Sequence, residues 1–390
     1  MKKSLVLVLV LVLTLCSAVC AETSPFCKLN PSAFDSASFI LTEAETGTVV
    51  IEEKADEHLP MASITKLMVL LIADEYIEEG KLSLDEIVTG TATAKATEGS
   101  RVYLDEGEEM TLDDILKSIS IPSANDAAVA LAEHISGSEE AFVKLMNERA
   151  EKLGLKNTHY VTASGLDADG HYSTARDISV LAREIMLKHP RIMQHAATVS
   201  DTLRNGSFPL TNTNNLLSNY EYATGLKTGT TDGAGYCLAA TAEKNGTKLI
   251  AVLLGAPTSA DRFNEAKYLF EYAFSDFSLI KVQGKGALSD DEGNPIYAEV
   301  IRGNKQTVPL NAKKDVFVYI PSSHSGEIKT ELEIDEKLTA PIPEGTVVGK
   351  IKYTIGDTVV ASADAVTAVK IKKMNIFQAF WHVLRAWFSL

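Results

Sequence analysis

The hydrophobic period of this chain changes twice, and this pattern constrains the fold more than any other feature. Residues 38–53 alternate β-favouring side chains around Glu45-Thr46-Gly47, which predicts an antiparallel hairpin. Apolar residues then recur every three or four positions as far as Lys188, the spacing of amphipathic helices. Beyond Lys227 two β-like runs meet at Asn245-Gly246, a dipeptide favoured in tight hairpin turns. The pattern predicts one α/β domain whose antiparallel sheet gathers strands from both ends.

The individual elements follow from the same periods. The first strong helix begins at Met61-Ala62-Ser63 and carries the apolar residues Ile64, Leu67, Met68, Leu71 and Ile72. Further helices are predicted over residues 112–119, 125–135, 139–153, 175–188 and 262–274, and late strands over 235–243 and 248–255. From about Leu279 short strands separated by Gly, Pro and Asn take over, near residues 300, 308, 316–320, 328–332 and 347–355. We expect these to form a second, small β-sandwich domain.

The N-terminus indicates export. Lys2 and Lys3 precede an apolar run and then small residues as far as Ala21, the pattern of a secretory signal peptide. A retained membrane anchor is the alternative, but the run from Leu5 to Leu15 is shorter than the roughly 20 residues that a span needs. With 390 residues there is room for two domains after it. We expect a signal peptide over 1–21, an α/β domain over 22–278, the β-sandwich over 279–369 and a terminal helix over 370–390.

Composition and charge exclude some classes of function. The formal net charge of −15 disfavours a nucleic-acid partner, because proteins that bind nucleic acid usually present a basic stripe. Cys27 and Cys237 remain after signal cleavage and could pair in an oxidising exterior, although spacing alone cannot show a disulfide. The chain lacks H-E-x-x-H and any convincing metal-site spacing. We therefore expect no metal and no other cofactor.

Ser63 and Lys66 form an S-x-x-K pair where the first helix begins. Three-residue spacing places both side chains on one helix face, within about 5–6 Å at Cβ. If burial and a neighbouring positive charge lower the pKa of Lys66, its amine can take the serine proton and make Ser63 a nucleophile. The helix N-terminus would also direct backbone N–H groups at a developing oxyanion. This motif occurs often by chance, so its interpretation depends on other motifs.

Two further motifs each allow a simple structural interpretation. Ser123-Ala124-Asn125 follows a proline where a loop meets the next helix, and Ser and Asn favour helix caps. Lys227-Thr228-Gly229 opens the late hairpin, where a turn with a solvated lysine would suffice. Alternatively, Ser123 relays a proton between Lys66 and a leaving amine, and Asn125 donates to a substrate backbone. Lys227 and Thr228 would then bind a carboxylate, while Gly229 lets a ligand approach the strand. The presence of all three motifs in this order favours catalysis.

The combination of S-x-x-K, S-x-N and K-T-G resembles the penicillin-binding proteins and serine β-lactamases. Within that group the chain is most similar to the low-molecular-mass, serine-type D-alanyl-D-alanine carboxypeptidases, the peptidase S11-like family. The segments that carry the likeness are Met61–Lys66, Ser123–Ala128, Gly165–Asp167, Ser173–Asp177, Gly225–Gly229, Ala234–Tyr236 and Arg262. The resemblance implies an α/β (α+β) serine β-lactamase/transpeptidase-like catalytic domain with an antiparallel sheet and a helical region.

The resemblance also implies the chemistry. Ser63 attacks the peptide carbonyl between the two terminal D-Ala residues of a peptidoglycan stem peptide, Lys66 is the base, and Ser123 passes a proton to the departing D-Ala. The N–H groups of Ser63 and Thr230 form the oxyanion hole. The residues implied to hold the terminal carboxylate are Lys227, Thr228 and Arg262, with Thr230 as a weaker candidate. Thr230 stands where many relatives carry His, and penicillin sensitivity is implied as well.

Three rival functions share some of these features. A DD-endopeptidase that cuts cross-links uses the same motifs, so the sequence separates it poorly from a carboxypeptidase. A β-lactamase needs a deacylating base, and no E-x-x-L-N-like element lies between Ser123 and Lys227. A non-catalytic cell-wall-binding protein would have lost the activity while it kept the motif residues.

The C-terminus has the pattern of an amphipathic helix. Its apolar residues at helical spacing are Ile376, Phe377, Phe380, Val383, Leu384, Trp387 and Phe388. After Asp364 all of the charged residues are basic, which is typical of an interfacial helix. By resemblance, we expect this helix to lie on the outer face of the cytoplasmic membrane, in the periplasm or cell-wall space. Packing on its own domain or on a partner chain is the alternative.

Overall fold

The computed structural model describes residues 23–289, 293–334 and 338–388. The predicted signal peptide lies outside these residues. The strands of the α/β part are β1 (Ser38–Glu43), β2 (Val49–Glu53), β3 (Ile87–Thr89), β4 (Glu109–Thr111), β5 (Ser200–Leu203), β6 (Phe208–Thr211), β7 (Ala223–Thr231), β8 (Gly235–Lys244) and β9 (Thr247–Ala256). Its α-helices are α1 (Lys66–Glu78), α2 (Ala92–Ala96), α3 (Leu112–Ser120), α4 (Asn125–Ser136), α5 (Glu139–Leu153), α6 (Ala175–Lys188), α7 (Pro190–Ala197), α8 (Leu216–Asn219) and α9 (Ser259–Asp276).

A five-stranded antiparallel sheet in the order β2-β1-β9-β8-β7 forms the centre of this part. As the sequence predicts, the early hairpin joins the late strands. Leu41 lies opposite Ala251 in the resulting sheet. The central strands β8 and β9 are buried through most of their length because helices cover both faces of the sheet. One core lies between the sheet and the helical middle, and the other lies between the sheet and α9. Strand β7 is left at the edge of the sheet.

Most predicted helices are confirmed, and two predictions about the motifs need correction. The α-helix that follows Met61 begins only at Lys66, because Ala62–Thr65 form a 3₁₀ turn and Ala62 has a left-handed φ of 48°. The K-T-G motif does not open the late hairpin: it lies inside β7, which starts four residues earlier at Ala223. The short helices α2, α7 and α8 and the two-stranded β3–β4 and β5–β6 pairs are too short to leave a periodic signal.

The second part is all-β, as predicted. Its strands are β10 (Phe277–Gln283), β11 (Gly286–Ala287), β12 (Tyr297–Ile301), β13 (Thr307–Ala312), β14 (Val316–Pro321), β15 (Lys329–Ile334), β16 (Leu338–Thr339), β17 (Val347–Ile355) and β18 (Thr358–Thr367). A sheet in the order β15-β17-β18-β13-β12-β16, with β11 beside β13, shares one apolar core with the β10–β14 pair. Because α9 ends at Asp276 and β10 follows at once, we propose to keep the domain boundary near residues 278 and 279.

The chain ends in helix α10 (Ile376–Phe388). Among the residues that the structure describes, none of the helices combines the length and the apolarity needed to cross a bilayer. Cys27 is half-buried and Cys237 is buried, and both are free thiols rather than a disulfide.

Candidate active site

The turn before α1 brings Ser63 and Lys66 together. Lys66 is the first residue of α1 and is completely buried, whereas Ser63 is half-buried. The Nζ of Lys66 lies 2.7 Å from the Oγ of Ser63. The S-x-x-K spacing therefore produces the predicted contact, although it does so across a 3₁₀ turn and not along an α-helical face.

The surroundings of Lys66 favour a neutral amine. Its Nζ donates to the Oδ1 of Asn125 at 2.6 Å and to the carbonyl of Ser164 at 2.5 Å. Burial, followed by the positive charge of Lys227, holds the pKa of Lys66 well below its ordinary value, against the opposing charge of Asp126. A neutral amine has two hydrogens and one lone pair. Because the two oxygens can only accept, the lone pair is left for the hydroxyl proton of Ser63.

The S-x-N motif is not a helix cap. Ser123 has a left-handed φ of 67°, and helix α4 begins at Asn125 without a capping side chain. The Oγ of Ser123 accepts a hydrogen bond from Lys227 Nζ at 2.8 Å. The Nδ2 of Asn125 donates to the carbonyl of Glu98 at 2.6 Å, which fixes its Oδ1 toward Lys66. Within the described part of the chain, Lys66 makes no hydrogen bond to Ser123 itself.

Strand β7 brings the K-T-G motif against Ser63, the predicted nucleophile. Burial and then the charge of Arg262 lower the pKa of Lys227 to about 7. A Cβ atom on Gly229 would lie 2.7 Å from the carbonyl of Met61 and 3.1 Å from the backbone nitrogen of Ser63. Only glycine lets the strand pass this close. Among the described strands none pairs with the outer edge of β7, the kind of edge to which an extended peptide adds as a strand.

The remaining carboxylate candidates surround the same strand. Arg262 is buried, and its guanidinium donates to the carbonyl of Gly229 at 2.8 Å and to Thr230 Oγ1 at 3.1 Å. Its role in binding a carboxylate stays a prediction, since it also supports β7 from within the protein. The hydroxyl of Thr228 lies 2.6 Å from that of Thr213.

Sequence reasoning missed several residues that shape the site. The carbonyl of Ser164 binds Lys66, but a backbone acceptor leaves no sign in the residue type. Thr65 and the buried His171 hydrogen-bond to each other behind the nucleophile. His171 lies in the segment that follows Gly165-Leu166-Asp167, and nothing in its local sequence marks it as part of the site.

One group of side chains has the composition of a metal site. Asp74, Glu78 and His189 present potential ligand atoms within 4.8 Å of one another. However, His189 Nδ1 lies 2.8 Å from Asp74 Oδ2, and Arg191 donates to the other oxygen of Asp74. These contacts form an ion-paired cluster, so the absence of a metal remains our prediction.

Comparison with known proteins places the chain in a family. Residues 26–258 match the model of the D-alanyl-D-alanine carboxypeptidases, peptidase family S11, and residues 289–373 match the C-terminal domain of penicillin-binding protein 5. The chain is 33% identical over 372 residues to the D-alanyl-D-alanine carboxypeptidase DacF of Bacillus subtilis, covering 92% of each chain.

Solved structures agree with this match. Penicillin-binding protein 5 from Haemophilus influenzae aligns with a TM-score of 0.82 and 31% identity, over 88% of this chain and 100% of that one. Penicillin-binding protein D2 from Listeria monocytogenes, in its ampicillin-bound form, aligns with a TM-score of 0.57 and 32% identity, over 62% of this chain and 98% of that one. The chain therefore belongs to the D-alanyl-D-alanine carboxypeptidase family of serine peptidases.

Proposed function

We propose how the residues of this site carry out the serine D-Ala-D-Ala carboxypeptidase reaction. The observation that carries the proposal is the buried amine of Lys66, whose Nζ lies within hydrogen-bond distance of two oxygens that can only accept and of the Ser63 hydroxyl. In the neutral amine the two N–H bonds serve those oxygens, and the lone pair is left for Ser63. Such an amine is a general base at neutral pH without any cofactor. The substrate class is the peptidoglycan stem pentapeptide that ends in D-Ala-D-Ala.

Substrate binding uses the edge of β7. The stem peptide adds as an antiparallel strand, with its terminal carboxylate at Lys227 and Thr228 and its acyl part running toward Thr230. The carboxylate would stabilise the ammonium form of Lys227, whose pKa of about 7 in the free enzyme makes it sensitive to a new negative charge. Arg262 strengthens the positive potential from behind the strand and holds Thr230 in place.

Acylation then moves one proton and forms one bond. The hydroxyl proton of Ser63 passes to Lys66 as Oγ attacks the carbonyl carbon of the penultimate D-Ala. The N–H groups of Ser63 and Thr230 stabilise the resulting oxyanion. The bond to the terminal D-Ala breaks when its nitrogen takes a proton from Ser123. Ser123 then regains a proton from Lys66, a transfer that requires the two side chains to come closer than in the free enzyme, where Ser123 is hydrogen-bonded to Lys227. Water then hydrolyses the acyl-enzyme.

Release of D-alanine from a D-Ala-D-Ala pentapeptide tests this function. The wild-type protein should release D-alanine, while the Ser63→Ala protein and the penicillin-treated wild type should not. Mass spectrometry should find one penicillin attached to the wild type and none attached to Ser63→Ala. A folded wild type without release from the pentapeptide would contradict the carboxypeptidase assignment. Cleavage of cross-linked dimers instead would establish the endopeptidase alternative.

We also propose that the protein acts outside the cytoplasm, at the membrane surface. Its substrate class belongs to the cell wall, and the described side chains of α10 expose several large apolar groups, among them Phe377, Trp381 and Trp387. An exposed aromatic helix that follows a lysine-rich segment favours an interfacial position.

A further inference from the structure

A chain of hydrogen bonds behind the nucleophile has no part in the reaction described above. The imidazole of His171 is buried, with 6% of its surface exposed, and its Nε2 lies 2.7 Å from Thr65 Oγ1. The same hydroxyl donates to the carbonyl of Ala62 at 2.8 Å. On the other side of the ring, the backbone N–H of Val161 donates to Nδ1 at 2.9 Å.

The available donors and acceptors fix which atom donates in each of these hydrogen bonds. A backbone N–H can only donate, so Nδ1 of His171 holds a lone pair, and the single proton of a neutral ring is on Nε2. That N–H donates to the hydroxyl of Thr65, whose own proton is then committed to the carbonyl of Ala62.

The ring is suited to stay neutral while the enzyme works. Burial, followed by the charge of His159, lowers the pKa of His171 to about 4. The charge of Lys66 acts in the same direction and that of Asp167 acts against it. At neutral pH the donors and acceptors in this series of hydrogen bonds therefore keep one direction.

These hydrogen bonds end at the carbonyl of Ala62, which belongs to the same peptide unit as the N–H of Ser63. In a planar trans peptide these two groups point in opposite directions. A Cβ atom on Gly165 would lie 2.1 Å from the carbonyl oxygen of Ala62, so the oxygen is also confined from that side. Ala62 needs this support because its φ of 48° is unfavourable for a residue with a side chain.

We infer that His171 acts through Thr65 as a positioning residue for the N–H of Ser63, one of the two oxyanion donors. These hydrogen bonds hold the Ala62 carbonyl toward Thr65. The N–H of Ser63, on the opposite side of the same peptide unit, therefore points away from Thr65. This inference rests on the proposed function, because it assigns a role within the same reaction. It adds two residues to the machinery that touch neither the substrate nor the reacting atoms.

Paired substitutions test the inference. Thr65→Val removes the hydroxyl at nearly constant volume, and Thr65→Ser keeps it. Removing one oxyanion donor costs about 100- to 1,000-fold in kcat, so a misdirected donor should cost about 10- to 100-fold. We expect Thr65→Val to lower kcat by this factor with KM within about twofold, and Thr65→Ser to recover most of the rate. His171→Leu should resemble Thr65→Val, and His171→Gln, which keeps a side-chain N–H, should recover part of the rate.

A tetrahedral probe separates positioning from a general structural role. A peptide boronic acid analogue of the acyl D-alanine forms a tetrahedral adduct with Ser63, so its affinity should fall by the same factor as kcat. The control is His159→Gln, because His159 is an exposed histidine of the same segment whose imidazole hydrogen-bonds to the carbonyl of Gly170. Loss of its charge would raise the pKa of His171 from about 4, which leaves that ring neutral at pH 7, so both quantities should stay unchanged.

Two outcomes would overturn the inference, and two others decide which measurements test it. Wild-type kcat and boronic acid affinity in Thr65→Val would overturn the inference, and so would a loss of kcat with unchanged boronic acid affinity. If His171→Leu does not fold, the Thr65 pair decides alone. If the wild type releases no D-alanine, the proposed function fails, yet the boronic acid affinities of the Thr65 pair still test the positioning of the donor.

Discussion

At the scale of single residues, the site depends on keeping negative charge out of contact with the buried amine of Lys66. In the proposed mechanism Lys66 is a base only while it stays neutral, and burial is the first cause of its lowered pKa. The groups that touch its amine, Asn125 and the carbonyl of Ser164, are polar but uncharged. A carboxylate at the same distance would stabilise the ammonium form and abolish the lone pair that Ser63 needs.

Asn125→Asp therefore should inactivate the enzyme at neutral pH. The change is nearly isosteric and puts a negative charge about where Oδ1 now lies, 2.6 Å from Lys66 Nζ. General-base catalysis contributes about 100- to 10,000-fold, so we expect kcat to fall at least about 100-fold at pH 7 and to recover partly at higher pH. The measurement is the pH profile of D-alanine release. Asn125→Ala is the control, since it should lose rate without the recovery at high pH.

His171 should make the folded protein sensitive to mild acid. Its pKa is lowered to about 4 in the native protein, against about 6.5 in an unfolded chain. Between these values the unfolded state binds more protons, so stability is present above pH 6.5 and is lost as the pH falls toward 4. The loss attributable to this group is up to about 3 kcal/mol. Urea unfolding across this range should show a shallower pH dependence in His171→Gln, and an equally steep dependence would contradict the assignment.

At the scale of secondary structure, α1 connects the turn that carries Ser63 to the rest of the catalytic domain. Its Asp74 side chain is buried and is bound by His189 and Arg191, which lie at the junction of α6 and α7. Burial alone would lower the pKa of His189, but the hydrogen bond and charge of Asp74 outweigh this, and the pKa is raised. The paired charges therefore hold the helix that begins with Lys66 against two others.

Asp74→Ala should destabilise the protein strongly. It removes the acceptor and leaves a buried histidine and an arginine without their partner, a change that typically costs about 3–5 kcal/mol. Glu78→Gln is the matched control because Glu78 is half exposed and lies 3.8 Å from His189, so it should cost less than about 1 kcal/mol. Urea midpoints of the two variants measure the difference. Equal midpoints would show that the ion pair contributes nothing.

The sequence predicted the long elements well because each has its own periodic signal. The helices at 139–153 and 175–188 have the bounds that their patterns indicate. The 3₁₀ turn at Ala62 could not be predicted, because the Ala62 carbonyl is confined by Gly165, which is far away in the sequence. Three short motifs identified Ser63, Lys66, Ser123, Asn125 and Lys227, and the structure brings these side chains together. The roles of Ser164 and His171 depend on the fold, so no motif could reveal them.

At the scale of the whole molecule, the catalytic site and the exposed terminal helix belong to different parts of the chain. The β-domain meets the catalytic domain at α9, where Tyr319 donates a hydrogen bond to the carbonyl of Ala273. The segment before α10 is fastened to the β-domain, since the N–H of Met374 donates to the carbonyl of Arg302. Beyond it, Phe377 and Trp387 are 75% and 80% exposed, so the helix does not bury these side chains on its own domain.

Ending the chain after Asn375 should separate membrane binding from catalysis. The shortened protein removes the exposed apolar helix but none of the residues near Ser63, so D-alanine release from a soluble pentapeptide should stay within about twofold of the full chain. Binding to vesicles containing anionic lipid should be lost, because burial of apolar surface supplies most of the affinity of an interfacial helix and the preceding lysines add only a salt-dependent part. Co-sedimentation at low and high salt measures both contributions. Retained binding by the shortened protein would contradict the interfacial role. If the full chain does not bind vesicles and is a dimer in solution, while the shortened protein is a monomer, the helix packs against a second copy instead.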